Sequence, residues 1–152
     1  MRIETRQSTN RLGLDDDLLD RVFTARGITE LAQLEKGLTN LLSPADLPEI
    51  DQAALRLADA VEGDEKILIV GDFDADGATS VALCLLALGA MGAGHVEFLV
   101  PNRFDYGYGL SPEIVQLSAG MQPRVIVTVD NGVASVDGVA LANELDIDVI
   151  VT

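Results

Sequence analysis

The chain has 152 residues, a formal charge of −15, 48% hydrophobic residues and only 4% aromatic ones. That length and apolar content suit one compact α/β domain with a small helical preface, and they exclude disorder throughout. The acidity excludes a broad basic surface of the kind that grips a long polyanion: from Ile67 onward the only cations are Arg103 and Arg124, against eleven acids.

The opening stretch, Met1 to about Gly13, is polar and reads as loose; it has no apolar segment of the signal-peptide kind. Asp15, Asp16 and Asp17 precede Leu18, Leu19, Val22 and Phe23, the pattern of a short helix with acids at its positive end, stopped by Gly27. Thr29 to Leu34 suggests a second short helix, and Ser43-Pro44 with Leu47-Pro48 a linker. Residues 51–61 carry Ala54, Leu55, Leu57, Ala58 and Val61 at helical spacing, closed by Gly63.

The texture then changes. Ile67 to Val70 is a fully apolar strand, Gly77 to Met91 an apolar helix, and Val96 to Val100 a second strand. A Gly-rich loop leads to a short helix from about Ser111 to Gln116. Val125 to Val129 is a third strand, Val136 to Leu145 a helix and Val149 to Val151 a fourth strand. Uninterrupted apolar strands alternating with helices imply a Rossmann-like parallel sheet covered on both faces. The expected division is a helical lead-in over 1–63 and an incomplete sheet domain over 64–152. Function in such sheets gathers beyond the carboxyl ends of the strands, and the fourth strand ends at Thr152, so the chain reads as a fragment. The longest apolar run, Ala78 to Met91, is interrupted by Thr79, Ser80 and Gly89 and is too short to span a membrane. Cys84 is the single cysteine, so no internal disulfide forms, which fits a reducing cytoplasm.

Three motifs can carry chemistry. In Gly71-Asp72-Phe73-Asp74-Ala75-Asp76-Gly77, three aspartates alternate directly after the first strand. In an extended chain they project to one side, where their mutual repulsion calls for a cation. Hard divalent ions such as Mg²⁺ and Mn²⁺ take such oxygen ligands. Gly77 permits a sharp turn into a helix, whose free N–H groups near Ala78, Thr79 and Ser80 can receive a phosphate oxygen. Thr128-Val129-Asp130-Asn131-Gly132 closes the third strand; Asp130 and Asn131 are either ordinary turn formers or a second contribution to the same centre. Pro101 to Leu110 holds Arg103, Tyr106 and Tyr108 among glycines: a structured loop with a surface charge, or one in which Arg103 grips a phosphate and a tyrosine stacks on a base.

The runs DFDADGATS, PNRFDYGYGL and VTVDNG, in this order and spacing, resemble the RecJ exonuclease branch of the DHH phosphoesterase family, over roughly Ile67 to Thr152. The resemblance implies metal-dependent 5′→3′ hydrolysis of single-stranded DNA in repair and recombination, with Mn²⁺ or Mg²⁺ in a two-metal site. It matches Asp74 and Asp76 to metal-binding carboxylates, Asp130 to one shared by both metals, and Asp72 to a further ligand or outer partner. Arg103 and Tyr108, with Thr79 and Ser80, fall to substrate handling. Partners implied are single-stranded DNA, held mainly by later parts of the protein, a helicase and a single-strand-binding protein, but no membrane. Some relatives carry a histidine four residues before the position of Asp74, where Val70 stands here. The Asp-His-His signature of the family is expected after Thr152, so the chain alone should be weak or inactive.

Two alternatives compete. A haloacid-dehalogenase-like phosphatase would use Asp74 as a phosphorylated nucleophile, but Ala78 stands where that family has Thr, and Lys36 and Lys66 both precede the motif. The other is a degenerate, non-catalytic metal-binding domain. His95 reads as a surface loop residue, Cys84 as a buried structural thiol and Asp15 to Asp17 as a helix start.

Overall fold

The structure, a computed structural model, describes residues 10–152. The expected loose opening lies outside the described residues up to residue 9. The chain forms two compact units, Met1–Leu47 and Pro48–Thr152.

In the first unit, helix α1 spans Asp17–Ala25. Asp16 caps it, accepting from the N–H groups of Leu18 (2.8 Å) and Leu19 (3.1 Å). Asp20, within α1, is only 1% exposed. Its carboxylate accepts from three successive backbone N–H groups, those of Leu12, Gly13 and Leu14, at 2.8–3.1 Å. The segment just before α1 is thus clamped onto it. Short 3₁₀ turns follow at Leu31–Leu34, Leu38–Asn40 and Pro44–Asp46. The first is closed by Gln33, whose Oε1 accepts from the N–H groups of Thr29 and Glu30.

In the second unit, α2 (Ile50–Glu62) precedes β1 (Ile67–Val70), α3 (Ala75–Ala90), β2 (Val96–Leu99), α4 (Arg103–Tyr106) and α5 (Pro112–Ala119). β3 (Val125–Thr128), α6 (Val136–Glu144) and β4 (Asp148–Val151) complete it. The four strands form one parallel sheet in the order β2-β1-β3-β4. β1 and β3 are buried throughout, as their unbroken runs of Ile, Leu and Val require. One face packs Ile67, Ile69, Val125 and Val127 against Val81 and Leu88 of α3 and Ala60 of α2. The other packs Leu68, Val70 and Ile126 against Ile114 and Val115 of α5 and Ala142 of α6. The expected α/β parallel sheet covered on both faces is therefore present.

The division expected at 63/64 follows the change in composition; in space, α2 lies in the second unit. Its stripe of Ala53, Leu57, Ala60 and Val61 joins the same core as Val81 and Leu88 of α3. Arg56 on α2 adds ion pairs to Glu65 (2.7 Å) and to Asp148 at the start of β4 (2.6 Å).

The Asp20 clamp has a pH signature. Desolvation pushes its carboxyl up, but the N–H groups of Leu12, Leu14 and Gly13, with the charge of Arg11, outweigh this and hold it below the ordinary value of 3.8. A carboxyl depressed in the folded state stabilises fully above its unfolded value and ceases to as the pH falls through the lower folded one. In Asp20→Ala, the amides of Leu12, Gly13 and Leu14 should exchange with solvent roughly tenfold faster at neutral pH, as expected for losing bonds to a charged acceptor. Equal protection in both proteins, by hydrogen exchange, would rule the clamp out.

Candidate metal centre

β1 lies between β2 and β3, so the chain runs off to opposite sides of it. Such a reversal of strand order leaves a crevice at the carboxyl ends of the strands, where open α/β sheets bind ligands. β1 and β3 pair with Val70 opposite Thr128, so the loops that follow start at the same level.

The loop after β1 carries the first three aspartates. It is not extended through Asp76, as expected from the alternation. α3 begins at Ala75, with Asp74 as its N-cap accepting from the Gly77 N–H (3.2 Å). The Ala78 N–H already donates to the Asp74 carbonyl (2.9 Å), and Thr79 and Ser80 lie inside the helix. The Thr79 hydroxyl donates back to the Asp76 carbonyl (3.1 Å). Those three positions therefore do not offer the free N–H groups expected of them; the helix start has moved towards the strand. Gly77 makes this possible. A Cβ there would lie 2.4 Å from the Asp72 carbonyl oxygen and 2.9 Å from its nitrogen, so only glycine lets α3 approach the loop so closely.

The loop after β3 carries Asp130 in the left-handed region (φ 61°), which Asp tolerates better than most side chains. Asn131, expected as a turn former, is buried and does more. Its amide donates to the carbonyls of Val70 (3.3 Å) and Val129 (2.9 Å), tying the end of β1 to the end of β3. Sequence offered no signal for this, because the Val70 acceptor is non-local.

Carboxylate oxygens of Asp72, Asp74 and Asp130 come within 4.8 Å of one another. Asp76, on the first turn of α3, stands outside that trio, but its charge acts on Asp130. Partial desolvation, then the charges of Asp76 and Asp74, a hydrogen bond with Asp74 and the charge of Asp72 push the Asp130 carboxyl above the usual carboxylate range. A divalent cation relieves that repulsion, and an all-oxygen donor set suits a hard metal. The residues present thus fit a metal ion.

The third motif folds over this group. Its middle is a short helix, α4, capped by Asn102, rather than the expected loop. Arg103 on α4 pairs with Asp72 and lies 3.9 Å from Asp74. The Tyr108 hydroxyl donates to the Asp130 carbonyl (2.7 Å), and the Leu110 N–H to the Ser135 hydroxyl (2.9 Å), so the loop is anchored to the β3 side. An open hollow of about 600 Å³ runs beside Tyr108, Asp130 and Gly132. Thr79 and Ser80 line neither it nor the small cleft beside Asp72. His95 pairs with Asp64 (3.4 Å), and Cys84 is half-buried in α3, its thiol pushed up by desolvation.

A doubly wound parallel sheet with a carboxylate cluster at its reversal point is an α/β fold whose ligand crevice could hold a metal ion. Residues 66–152 match the N-terminal domain of the DHH family. The chain belongs to the DHH family. It is 48% identical over 135 residues to the single-stranded-DNA-specific exonuclease RecJ of Haemophilus influenzae, covering 89% of this chain and 24% of that protein. It is 44% identical to the RecJ of Escherichia coli over the same length, covering 23% of that protein. Among solved structures, an exonuclease RecJ bound to manganese superposes with a TM-score of 0.65 at 32% identity, over 74% of this chain and 29% of that one. The RecJ of Thermus thermophilus in complex with Mn²⁺ gives 0.59 at 27% identity, over 85% of this chain and 17% of that one. The chain thus spans about a quarter of the length of the curated relatives it matches. The family match sets aside the haloacid-dehalogenase-like alternative.

Gly77→Ala should cost about 1–3 kcal/mol of stability, the usual penalty for forcing atoms into a filled space. A urea midpoint equal to that of the unaltered chain would contradict the close approach of α3 to Asp72.

Proposed function

We propose that this chain is the front part of a metal-dependent exonuclease that hydrolyses the phosphodiester bonds of single-stranded DNA in the 5′→3′ direction, in DNA repair and recombination. The observation that carries the reading is the meeting of carboxylates from two separate loops at the reversal point of the sheet. The exonuclease names of the relatives give the substrate class, and the manganese-bound neighbours support Mn²⁺, with Mg²⁺ as the alternative ion.

In this reading Asp74, Asp76 and Asp130 hold the metal, and Asp72 completes the acidic group. Metal bound there would supply an activated water and neutralise charge on the scissile phosphate. Asp130, held in place through Asn131, faces Asp74 from the opposite loop and can bridge. Arg103 and Tyr108 handle the substrate from the overlying loop; Thr79 and Ser80, one turn along α3, could join them only through their hydroxyls, since their N–H groups lie inside the helix. The lead-in to residue 63 and the DHH part from residue 64 are parts of a longer protein, joined through α2, which packs into the sheet core.

The charge of −15 leaves little here to grip a polyanion. Most of the DNA contact therefore falls to other parts, and a helicase and a single-strand-binding protein are the proposed partners. Among the described residues no helix is long and apolar enough to cross a membrane, and we assign the protein to the cytoplasm.

In the complete protein, Mn²⁺ should support digestion of single-stranded oligonucleotides, and Asp130→Ala and Asp76→Ala should each abolish it. Because α3 starts early, Asp76 is the sharper test. Full activity in Asp76→Ala would remove it from the centre, while full activity in Asp130→Ala would place catalysis outside this acidic cluster and leave the cluster a non-catalytic role.

A further inference from the structure

Asp72 differs from the other aspartates of the centre. It is 8% exposed, whereas Asp74, Asp76 and Asp130 are open to solvent. Both its oxygens are engaged: Oδ1 accepts from the Phe73 N–H (2.8 Å) and Oδ2 from Arg103. The Arg103 guanidinium in turn lies over the ring of Phe73, 4.4 Å from its centroid, and 5.2 Å from that of Tyr108. Two aromatic faces and one carboxylate therefore hold a single cation. The next acceptor within reach is Asp74, at 3.9 Å from the same Nη2. Arg103 Nε is buried without a partner, so the guanidinium keeps a donor in reserve.

We propose that Asp72 is a positioning residue and not a metal ligand: it is the counter-ion that fixes Arg103 between Phe73 and Tyr108 and keeps it off Asp74. A half-buried guanidinium without its carboxylate turns to the nearest remaining one. Here that is Asp74. Arg103 would then compete with the metal for an oxygen that the metal needs. Asp72 thus protects the centre by occupying the arginine, and its own charge is spent on Arg103 before any ion arrives. The inference rests on the metal-centre reading above.

The test is a double-mutant cycle in the complete protein, read by calorimetric titration with Mn²⁺ alone. Asp72→Asn keeps the shape and one acceptor, and melting temperatures check its fold. It should weaken Mn²⁺ binding on the order of tenfold, well short of the full interaction of two unit charges about 4 Å apart near a protein surface, because solvent screens the open side of the centre. Adding Arg103→Gln should restore affinity to within about threefold of the unaltered protein. A ligand cannot be rescued in this way: if Asp72→Asn/Arg103→Gln binds as weakly as Asp72→Asn, Asp72 is a ligand and the proposal fails. An Asp72→Asn protein that binds like the unaltered one overturns it equally, since no competition was being prevented. The Arg103 Hε resonance supplies a metal-free measure. Its exchange with solvent should be slow in the unaltered protein and fast in Asp72→Asn, and equal rates overturn the pairing. Failure of the underlying reading looks different: neither the unaltered protein nor any variant would bind Mn²⁺, or Asp130→Asn would leave the affinity unchanged.

Discussion

The side-by-side parallel pairing of β1 and β3 governs everything at the carboxyl end of this sheet. Val70 lies opposite Thr128, so two loops that are distant in sequence leave the sheet at one level. The carboxylates they carry repel one another, and nothing in the loops themselves would bring them together. The force comes from below. Ile67 to Val70 and Val125 to Val127 are buried, each apolar side chain contributing about 1.5–3 kcal/mol when fully withdrawn from water. The core thus holds a concentration of negative charge at the ends of the strands, a repulsion that a bound cation would relieve.

The positive charge of Arg103 follows the same logic. Of the two cations from Ile67 onward, Arg124 precedes β3 and donates to the Asp146 carbonyl (3.0 Å), at the opposite end of the strand. Arg103, the other of the two, faces the carboxylates. A surface of such acidity could recruit many counter-ions loosely. Placing one guanidinium on aromatic rings makes the local balance of charge a matter of geometry.

Strands, their order of appearance and the motif positions were legible because apolar runs of four or five residues are unambiguous when bounded by Gly, Asp and Asn. The start of α3 departs from the alternation of the aspartates for a local reason. An aspartate that can cap a helix ends the extended chain at once, so Asp76 follows helical and not strand periodicity. Other features were illegible because they depend on partners far along the chain or in irregular backbone. Asp20 looks like one more solvated helix charge until its three amide partners are seen. The amide of Asn131 finds its β1 acceptor only after the sheet has formed. The placement of α2 turned on whether its apolar stripe met the sheet or the segment before it, which spacing alone does not say.

Asn131 has a mechanical consequence. Because one side-chain amide grips the main chain at the tips of both central strands, the two halves of the acidic cradle share a rigid post. A cation held between Asp74 and Asp130 would then be met mainly by rotation about their side-chain bonds, because the strand ends that carry the two loops are tied to each other.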